Sequence, residues 1–213
     1  EIRTPMNAIL GFTELLLRDD SLSVQQRHYL TTVSRSGEHL LELLNDVLET
    51  SKIEAGQMRI NSAPFDIRLM LDYLDSMFRQ KIEDKSLVFS VDADRLEYGH
   101  FVADQQKLRQ IVINLLGNAL KFTQAGRIDL RVWTEPCSGS EPTECYLFFE
   151  VADTGIGIVA AEQESIFQVF SQTREGAQIG GTGLGLSISR SLARIMGGDI
   201  VVESEPGKGS CFR

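Results

Sequence analysis

The sequence contains a glycine-rich stretch, Gly180-Gly181-Thr182-Gly183-Leu184-Gly185-Leu186, followed by an amphipathic run from Ser187 to Met196. Glycines at this density let a loop turn tightly just before a helix. The first N–H groups of a helix lack partners and face the positive end of its dipole, so such a loop can hold an anion. The stretch is neither a P-loop nor a dinucleotide-binding loop. Read alone, it fits an anion site and a flexible helix-start turn equally well.

A second glycine pair follows a run of strand-like residues. Asp153-Thr154-Gly155-Ile156-Gly157-Ile158 comes directly after Phe149–Ala152. The two glycines permit a tight turn and a close approach of backbone to a ligand. A carboxylate at the end of a strand can accept a hydrogen bond from an exocyclic amine. A turn with a capping Asp is the alternative.

The long helix predicted over 104–122 places three polar residues on one face. Asn114, Asn118 and Lys121 are spaced i, i+4 and i+7, and such residues project from the same side. An amide oxygen can ligate Mg²⁺, and an ammonium can offset phosphate charge. Solvated Asn and Lys side chains on an exposed helix face are the simpler explanation of this pattern taken alone.

The segment 166–177 is apolar in its first half and polar and small in its second. This composition favours a mobile lid anchored by Phe167 and Phe170. The alternative is a surface loop with two aromatic residues buried for stability.

The first 55 residues contain two helical patterns with a turn near 18–23. The second pattern is a heptad seam typical of helix bundles, formed by Leu30, Val33, Gly37, Leu40, Leu44, Val47 and Ser51. Two helices cannot bury so wide an apolar stripe on each other alone, which predicts a homodimeric four-helix bundle. A hairpin that packs on the rest of its own chain stays open as an alternative.

Gly56 and Pro64 interrupt the helical rhythm and mark a boundary. The predicted organisation is a helical domain over 1–55, a linker over 56–64 and a second domain over 65–213. In the second domain the patterns predict helices over 65–85, 104–122 and 184–196, and strands over 87–91, 127–134, 145–152, 199–204 and 209–212. The residues Pro136, Gly139 and Pro142 predict a hairpin loop. This order favours an α+β sandwich with a mostly antiparallel or mixed sheet.

Composition excludes several classes of protein. The net charge of −9 over 213 residues argues against nucleic-acid binding, which needs clustered cations. The three cysteines form no C-x-x-C pair, so a reducing compartment is expected. Apolar runs are too short for a membrane span, and the expected location is cytoplasmic, although a longer parent protein could be anchored in a membrane. The sequence opens in mid-pattern, as a piece of a longer chain would.

In their order and spacing, these elements resemble the ATP-binding domain of sensor histidine kinases: Asn-x3-Asn-x2-Lys, Asp-x-Gly-x-Gly, Phe-x2-Phe, Gly-x-Gly-x-Gly and Gly-Ser-x-Phe. The opening Glu1-Ile2-Arg3-Thr4-Pro5-Met6-Asn7 is similar to the segment after the phosphoacceptor histidine in the dimerisation domain of that family. The style is most like hybrid kinases, which carry a receiver domain downstream. The resemblance implies the sandwich shared with gyrase, chaperone and mismatch-repair ATPases.

What the resemblance implies about the site is specific. Asn118 would ligate Mg²⁺, with Asn114 assisting, and Lys121 would contact the phosphates of ATP. Asp153 would bind the adenine amino group with support from Ser210. The remaining ATP-binding residues would be Phe122, Gly155, Gly157, Ile158, Arg174, Thr182, Gly183, Leu184, Gly185 and Leu186. The assignment of Arg174 replaces a basic residue that relatives carry nearer the glycine-rich loop.

On the acceptor side, the resemblance implies that Glu1 follows the phosphorylated histidine and acts as its base. Thr4 would take part in dephosphorylating an aspartate of a partner receiver domain. His28, His39 and His100 stand in other contexts and are interpreted as structural or solvated. The fragment as written is therefore expected to bind ATP without phosphorylating itself at the usual place, either through truncation or because its parent is degenerate; the intact opening motif favours truncation.

Two further classes of function remain open. One is an ATP-sensing dimer that signals by changing shape without chemistry. The other is a related chaperone or DNA-repair ATPase, against which the heptad hairpin and the acidic net charge argue.

Overall fold

The computed structural model describes residues 2–136, 145–173, 176 and 180–213. The chain divides into two compact units, the first ending at Met58 and the second beginning at Arg59. Among the helices of these described ranges, none is both long and apolar enough to cross a bilayer.

The first unit is an antiparallel helical hairpin, as the two helical patterns predict. Helix α1 spans Arg3–Leu17 and α2 spans Val24–Glu54. A capping box fixes the start of α2: Ser23 and Gln26 exchange side-chain-to-backbone hydrogen bonds. The guanidinium of Arg27 donates to the carbonyl oxygens of Leu17 (2.7 Å) and Asp19 (3.1 Å), which fixes the turn between the helices.

Packing between the two helices is closest at Gly37. This glycine is buried, and a Cβ added there would lie 2.8 Å from Cδ2 of Leu10. Much of the predicted seam, however, faces away from α1. Val33, Leu40 and Val47 are 45–48% exposed, and the hairpin alone therefore leaves an apolar stripe uncovered.

The described residues of the second unit include three helices and seven strands. The strands are β1 (Ala63–Asp66), β2 (Val88–Arg95), β3 (His100–Ala103), β4 (Arg127–Pro136), β5 (Cys145–Asp153), β6 (Val202–Glu205) and β7 (Gly209–Phe212). The helices are α3 (Ile67–Glu83), α4 (Gln105–Phe122) and α5 (Gly185–Ile195), and two 3₁₀ turns span Ala160–Glu162 and Ser165–Phe167.

The main sheet is mixed. Its order is β2-β4-β5-β7-β6, with β2 and β4 parallel and the other neighbours antiparallel, while β1 and β3 form a separate antiparallel pair. Alternate residues of β4 form the floor of the core: Ile128, Leu130 and Val132 are at most 2% exposed. Helix α3 packs on β2, α4 packs on β4 and β5, and α5 packs against α4, so the predicted α+β fold is confirmed.

Two local predictions need correction. Phe65 and Asp66 belong to β1, so helix α3 begins two residues later than predicted, because the backbone of this segment pairs with β3. Asp66 is nevertheless the N-cap, since its carboxylate accepts from the N–H groups of Arg68 and Leu69. Pro136 is the last residue of β4 rather than part of the loop, and Gly139 and Pro142 lie outside the described residues.

A groove of about 940 Å³ lies beside the first half of β5. Strand β4 pairs with β5 along its whole length, whereas β7 pairs only with Val151–Asp153. The groove is lined by Leu147 and Phe149 of β5, by Leu108 and Leu115 of α4, and by Ile200 on its far side. A continuation of β7 alongside β5 would lie in this groove and cover its apolar floor.

We expect that appending Val-Thr-Val-Thr after Arg213 raises Tm by a few degrees. In the register that pairs Phe212 with Val151, both valines point into the groove, and about 1 kcal/mol shifts Tm by roughly 2–4 °C in a chain of this size. Appending Thr-Val-Thr-Val moves the valines to the other face and is the control. Equal behaviour of the two variants in thermal unfolding would contradict the proposed register.

Candidate functional site

The polar face of α4 contacts the glycine-rich loop. The side-chain amide of Asn114 donates to the hydroxyl of Ser189 on α5 (2.9 Å), and a Cβ added at Gly185 would lie 2.3 Å from Oδ1 of Asn114. Lys121 Nζ donates to the carbonyl of Gly180, and a Cβ at Gly181 would lie 2.7 Å from Nζ. Two separated motifs therefore meet, and a side chain at Gly185 or Gly181 would have to displace the side chain of Asn114 or Lys121.

The electrostatics of this face suit an anion. Burial lowers the pKa of the Lys121 ammonium, because a cation loses hydration there, and an anionic partner would offset that loss. Asn118 lies one turn from Asn114 on the same helix and is half-buried. Its amide is thus on the side where Asn114 and Lys121 meet the loop.

In the glycine-rich loop, backbone N–H groups are better placed than side chains to bind a ligand. Leu184 is fully buried, so its side chain belongs to the core. Its N–H bonds to the hydroxyl of Thr182 (3.0 Å) and is already engaged. Helix α5 then starts at Gly185 without a side-chain cap, and Leu186 is half-buried in its first turn. The N–H groups of that turn are the donors best placed to meet an anion.

Asp153 ends β5 and is surrounded by donors. The N–H of Gly155 donates to Oδ1 of Asp153 (2.7 Å). Burial raises the pKa of the Asp153 carboxyl, and hydrogen bonds from the N–H groups of Gly155 and Ser210, together with the nearby Thr123 hydroxyl, partly oppose this. Ser210 is the cross-strand partner of Asp153, and its backbone makes the contact, while its hydroxyl lies 3.0 Å from that of Ser204.

Thr123 and Ser204 are site residues that the sequence patterns did not reveal. Thr123 is fully buried beside Asp153, and among the described residues its hydroxyl makes no hydrogen bond of normal geometry. Ser204 accepts from the N–H of Ile158 (2.7 Å) and donates to the carbonyl of Gly209 (2.9 Å). The only sequence signal for Thr123 is its place directly after the Asn-x3-Asn-x2-Lys-Phe run.

The turn after Asp153 is held against the end of α4. A Cβ at Gly155 would lie 2.6 Å from the carbonyl oxygen of Phe122, and one at Gly157 would lie 2.1 Å from that of Glu205. Gly157 has φ +70°. Phe122 and Ile158 are both half-buried at this junction, so the glycines allow the Asp153 turn to join the α4 face.

The segment between the two glycine motifs differs from its prediction as an anchored lid. Phe167 packs edge-on against Phe212 with ring centroids 6.5 Å apart. The ring of Phe170 is 68% exposed and its φ is +62°. Phe170 is therefore no side-chain anchor; its N–H donates instead to the carbonyl of Gly183 (3.1 Å).

Three of the predicted site residues are not assigned to this cluster. Arg174 and Glu1 lie outside the described residues. Thr4 is exposed on α1, in the first unit. The rest of the predicted ATP-binding set belongs to the second unit and is built on α4, the end of β5, the glycine-rich loop with the start of α5, and β7.

Two family models match separate parts of the chain. Residues 1–56 match the His Kinase A (phospho-acceptor) domain. Residues 103–213 match the Histidine kinase-, DNA gyrase B-, and HSP90-like ATPase family. This chain belongs to the histidine kinase family. It thus combines a phosphoacceptor-type helical domain with an ATP-binding domain.

Curated relatives of this histidine kinase align with the chain over its full length. "Signal transduction histidine-protein kinase BarA" of Escherichia coli (strain K12) is 40% identical over 214 residues, and "Hybrid signal transduction histidine kinase B" of Dictyostelium discoideum is also 40% identical over 214 residues. The alignments cover 100% of this chain but 23% and 11% of those proteins. The chain thus spans a quarter or less of their length, and the predicted likeness to hybrid kinases is confirmed.

A solved structure supports the same assignment. The crystal structure of full-length ShkA in complex with AMPPNP superimposes with a TM-score of 0.81 at 35% identity. The match covers 99% of this chain and 42% of ShkA. An ATP analogue is therefore a ligand of a protein that shares this fold.

We expect nucleotide affinity to depend on pH through Asp153. The carboxylate accepts a hydrogen bond best when ionised, so affinity is full above its raised pKa and falls as pH drops through it. The fall should begin at a higher pH than the ordinary value of 3.8 for Asp allows. The same shift makes the Asp153 contribution to stability largest below pH 3.8 and lost as pH rises through the folded-state pKa.

Calorimetric titration with Mg-ADP, carried from neutral pH down to the lowest pH at which the protein stays folded, measures this effect. The control is Asp153→Asn, which cannot ionise and should bind at least tenfold more weakly at neutral pH. The difference in Mg-ADP affinity between wild type and Asp153→Asn should become smaller as the pH falls. A difference in affinity that stays constant with pH would contradict the role of Asp153 in nucleotide binding.

Proposed function

We propose that this chain is the catalytic core of a sensor histidine kinase in a two-component system. It binds Mg-ATP and transfers the γ-phosphoryl group to a histidine at the position that the family places directly before Glu1. The phosphoryl group then passes to an aspartate of a receiver domain, in the same or another chain. Dephosphorylation of that receiver is a second reaction, in which Thr4 takes part.

The observation that carries this proposal is the meeting of α4 with the glycine-rich loop. Asn114, Lys121 and the uncapped start of α5 lie within contact distance, and the Asp153 turn is joined to the same end of α4. A phosphate group and an adenine amine need these two kinds of donor and acceptor a short distance apart. Phosphoryl transfer depends mainly on positioning and charge neutralisation, which this set of groups supplies.

The residues present also suit a magnesium ion. The amide oxygen of Asn118 is a hard ligand of the kind Mg²⁺ prefers, and phosphate oxygens and water complete its usual coordination. A bound Mg²⁺ would neutralise charge that develops on the phosphates. Lys121 adds a second positive charge, and the N–H groups at the start of α5 orient the phosphates.

The phosphoryl transfer step releases a proton, and a residue of the first unit is needed to accept it. The bond from the γ-phosphorus to the bridging oxygen of ATP breaks, a phosphorus–nitrogen bond to the imidazole forms, and ADP leaves. Glu1 accepts the proton from the other imidazole nitrogen. This role for Glu1 rests on the family resemblance.

Dimerisation through residues 1–55 is part of the proposal. The stripe of Val33, Leu40 and Val47 is nearly half exposed in one hairpin, and a second hairpin would cover it. The cytoplasm, where ATP is abundant, is the proposed location of this core, and we propose no contact with nucleic acid or membrane.

The kinase proposal predicts covalent labelling. With a histidine added before Glu1, incubation with [γ-³²P]ATP and Mg²⁺ should give acid-labile, base-stable phosphoprotein. Asn118→Ala should lose at least 90% of that label while remaining folded, because the metal loses a ligand. Gln106→Ala removes an exposed amide from the same helix and should label normally.

Other outcomes separate the alternatives. A folded, nucleotide-binding protein without label would support an ATP-sensing dimer that performs no chemistry. Normal labelling of Asn118→Ala would contradict the metal assignment.

The dimer proposal predicts that Leu40→Glu weakens self-association more than tenfold, because burying each leucine contributes about 1.5–3 kcal/mol. Light scattering over a range of concentrations measures this. Val24→Glu is the matched control, since Val24 is 89% exposed at the start of α2 and lies off the seam. A wild-type monomer at all concentrations would favour the packed hairpin instead.

A further inference from the structure

Arg190 joins three segments of the second unit: helix α5, the region of the second 3₁₀ turn and the segment that follows α5. It lies on α5, five residues after Gly185, and its side chain is only 15% exposed. Its guanidinium donates to Asp199 (2.9 and 3.4 Å) and to Glu164 (3.2 Å). The same group lies over the ring of Phe167, 4.5 Å from its centroid.

These contacts differ in strength. Glu164 is 89% exposed, so its ion pair with Arg190 is screened by solvent and contributes little. Asp199 is tied down further, since it also accepts from Arg194 (3.1 Å) and from the N–H of Ile200 (2.8 Å). The fixed carboxylate orients the guanidinium, which leaves its planar face for the aromatic ring of Phe167.

Phe167 is the last residue of the 3₁₀ turn from which the lid segment departs. Its ring is held between Arg190 on one side and Phe212 of β7 on another. Three residues later, the N–H of Phe170 donates to the carbonyl of Gly183. A Cβ on Gly183 would lie 2.9 Å from the carbonyl carbon of Phe170, so the start of the lid segment lies directly against the glycine-rich loop.

We propose that Arg190 is a positioning residue for nucleotide binding: by holding Phe167, it fixes the base of the lid against the glycine-rich loop. This inference rests on the proposed function. Through its described side-chain contacts, Arg190 reaches the glycine-rich loop by way of Phe167 and the backbone of Phe170. Its loss should therefore let the lid base move away from Gly183, loosening the loop where the phosphates bind.

Arg194 provides a matched control. It donates to the same carboxylate of Asp199, yet it is 58% exposed and, within the described residues, makes no hydrogen bond, ion pair or ring contact with Phe167 or Glu164. Arg194→Gln therefore removes an Asp199 ion pair without removing the support of Phe167. Arg190→Gln removes both.

The experiment compares wild type, Arg190→Gln, Arg190→Lys and Arg194→Gln in the full chain. Calorimetry gives the affinities for Mg-AMPPNP and for adenosine, and hydrogen exchange reports the amides of 168–173 and 180–184. We expect Arg190→Gln to lose about tenfold in Mg-AMPPNP affinity, the size of one partly buried cation–π contact. Its adenosine affinity should be unchanged, and exchange of the lid-base amides should be faster.

Arg190→Lys should recover part of the affinity, because an ammonium keeps the charge over the ring. Arg194→Gln should match wild type in affinity and lid exchange, whatever its Tm. Thermal unfolding of all variants separates general destabilisation from this local effect.

Two outcomes would overturn the proposal. One is unchanged Mg-AMPPNP affinity and lid exchange in folded Arg190→Gln. The other is an equal loss in Arg190→Gln and Arg194→Gln, which would mark a structural ion-pair network around Asp199 instead. Absence of Mg-AMPPNP binding by the wild type would count against the proposed function itself, so the two failures are distinguishable.

Discussion

Close contact between the glycine-rich loop and the polar face of α4 is the constraint on which the site depends. Gly185 faces the amide of Asn114, and Gly181 faces the ammonium of Lys121, at distances that leave no room for a side chain. This contact brings the start of α5 beside an amide and a cation, although about 65 residues separate the two motifs. The Asp153 turn reaches the same end of α4 because Gly155 leaves space for the carbonyl of Phe122. Glycine at these positions is thus a condition for assembling the site.

The two units achieve stability in different ways. In the second unit the inward residues of β4 are nearly inaccessible, and the helices cover the sheet. The first unit buries little beyond the contact around Gly37, so its apolar stripe needs a partner. A bundle of two copies satisfies that need and is the arrangement we propose. The first half of β5 is a smaller example of the same principle: its edge opposite β4 has no neighbouring strand among the described residues, and the apolar groove there favours a further strand.

Much of this could be predicted from sequence where local chemistry and periodicity agree. The heptad spacing in α2, the i, i+4 and i+7 spacing of the polar residues of α4, and the glycine motifs indicated the hairpin, the polar face of α4 and the loop. The β1–β3 pair was missed because strands of four residues carry little periodicity, and their pairing is non-local. The exposure of Phe170 was unforeseen because an aromatic residue near an apolar run is normally buried, whereas its backbone here takes a left-handed conformation. Thr123 and Arg190 gain their roles from neighbours distant in sequence, which no local pattern reports.

Calorimetric titration with Mg-AMPPNP of wild type, Gly185→Ala and Gly198→Ala tests whether close contact between the glycine-rich loop and α4 forms the nucleotide site. An added methyl at Gly185 would collide with Asn114, whereas one at Gly198 meets only the carbonyl of Ala193 at 3.6 Å. We expect saturable binding by wild type and Gly198→Ala and loss of binding by folded Gly185→Ala. Undiminished binding by Gly185→Ala, or no heat of association with well-folded wild type, would contradict it.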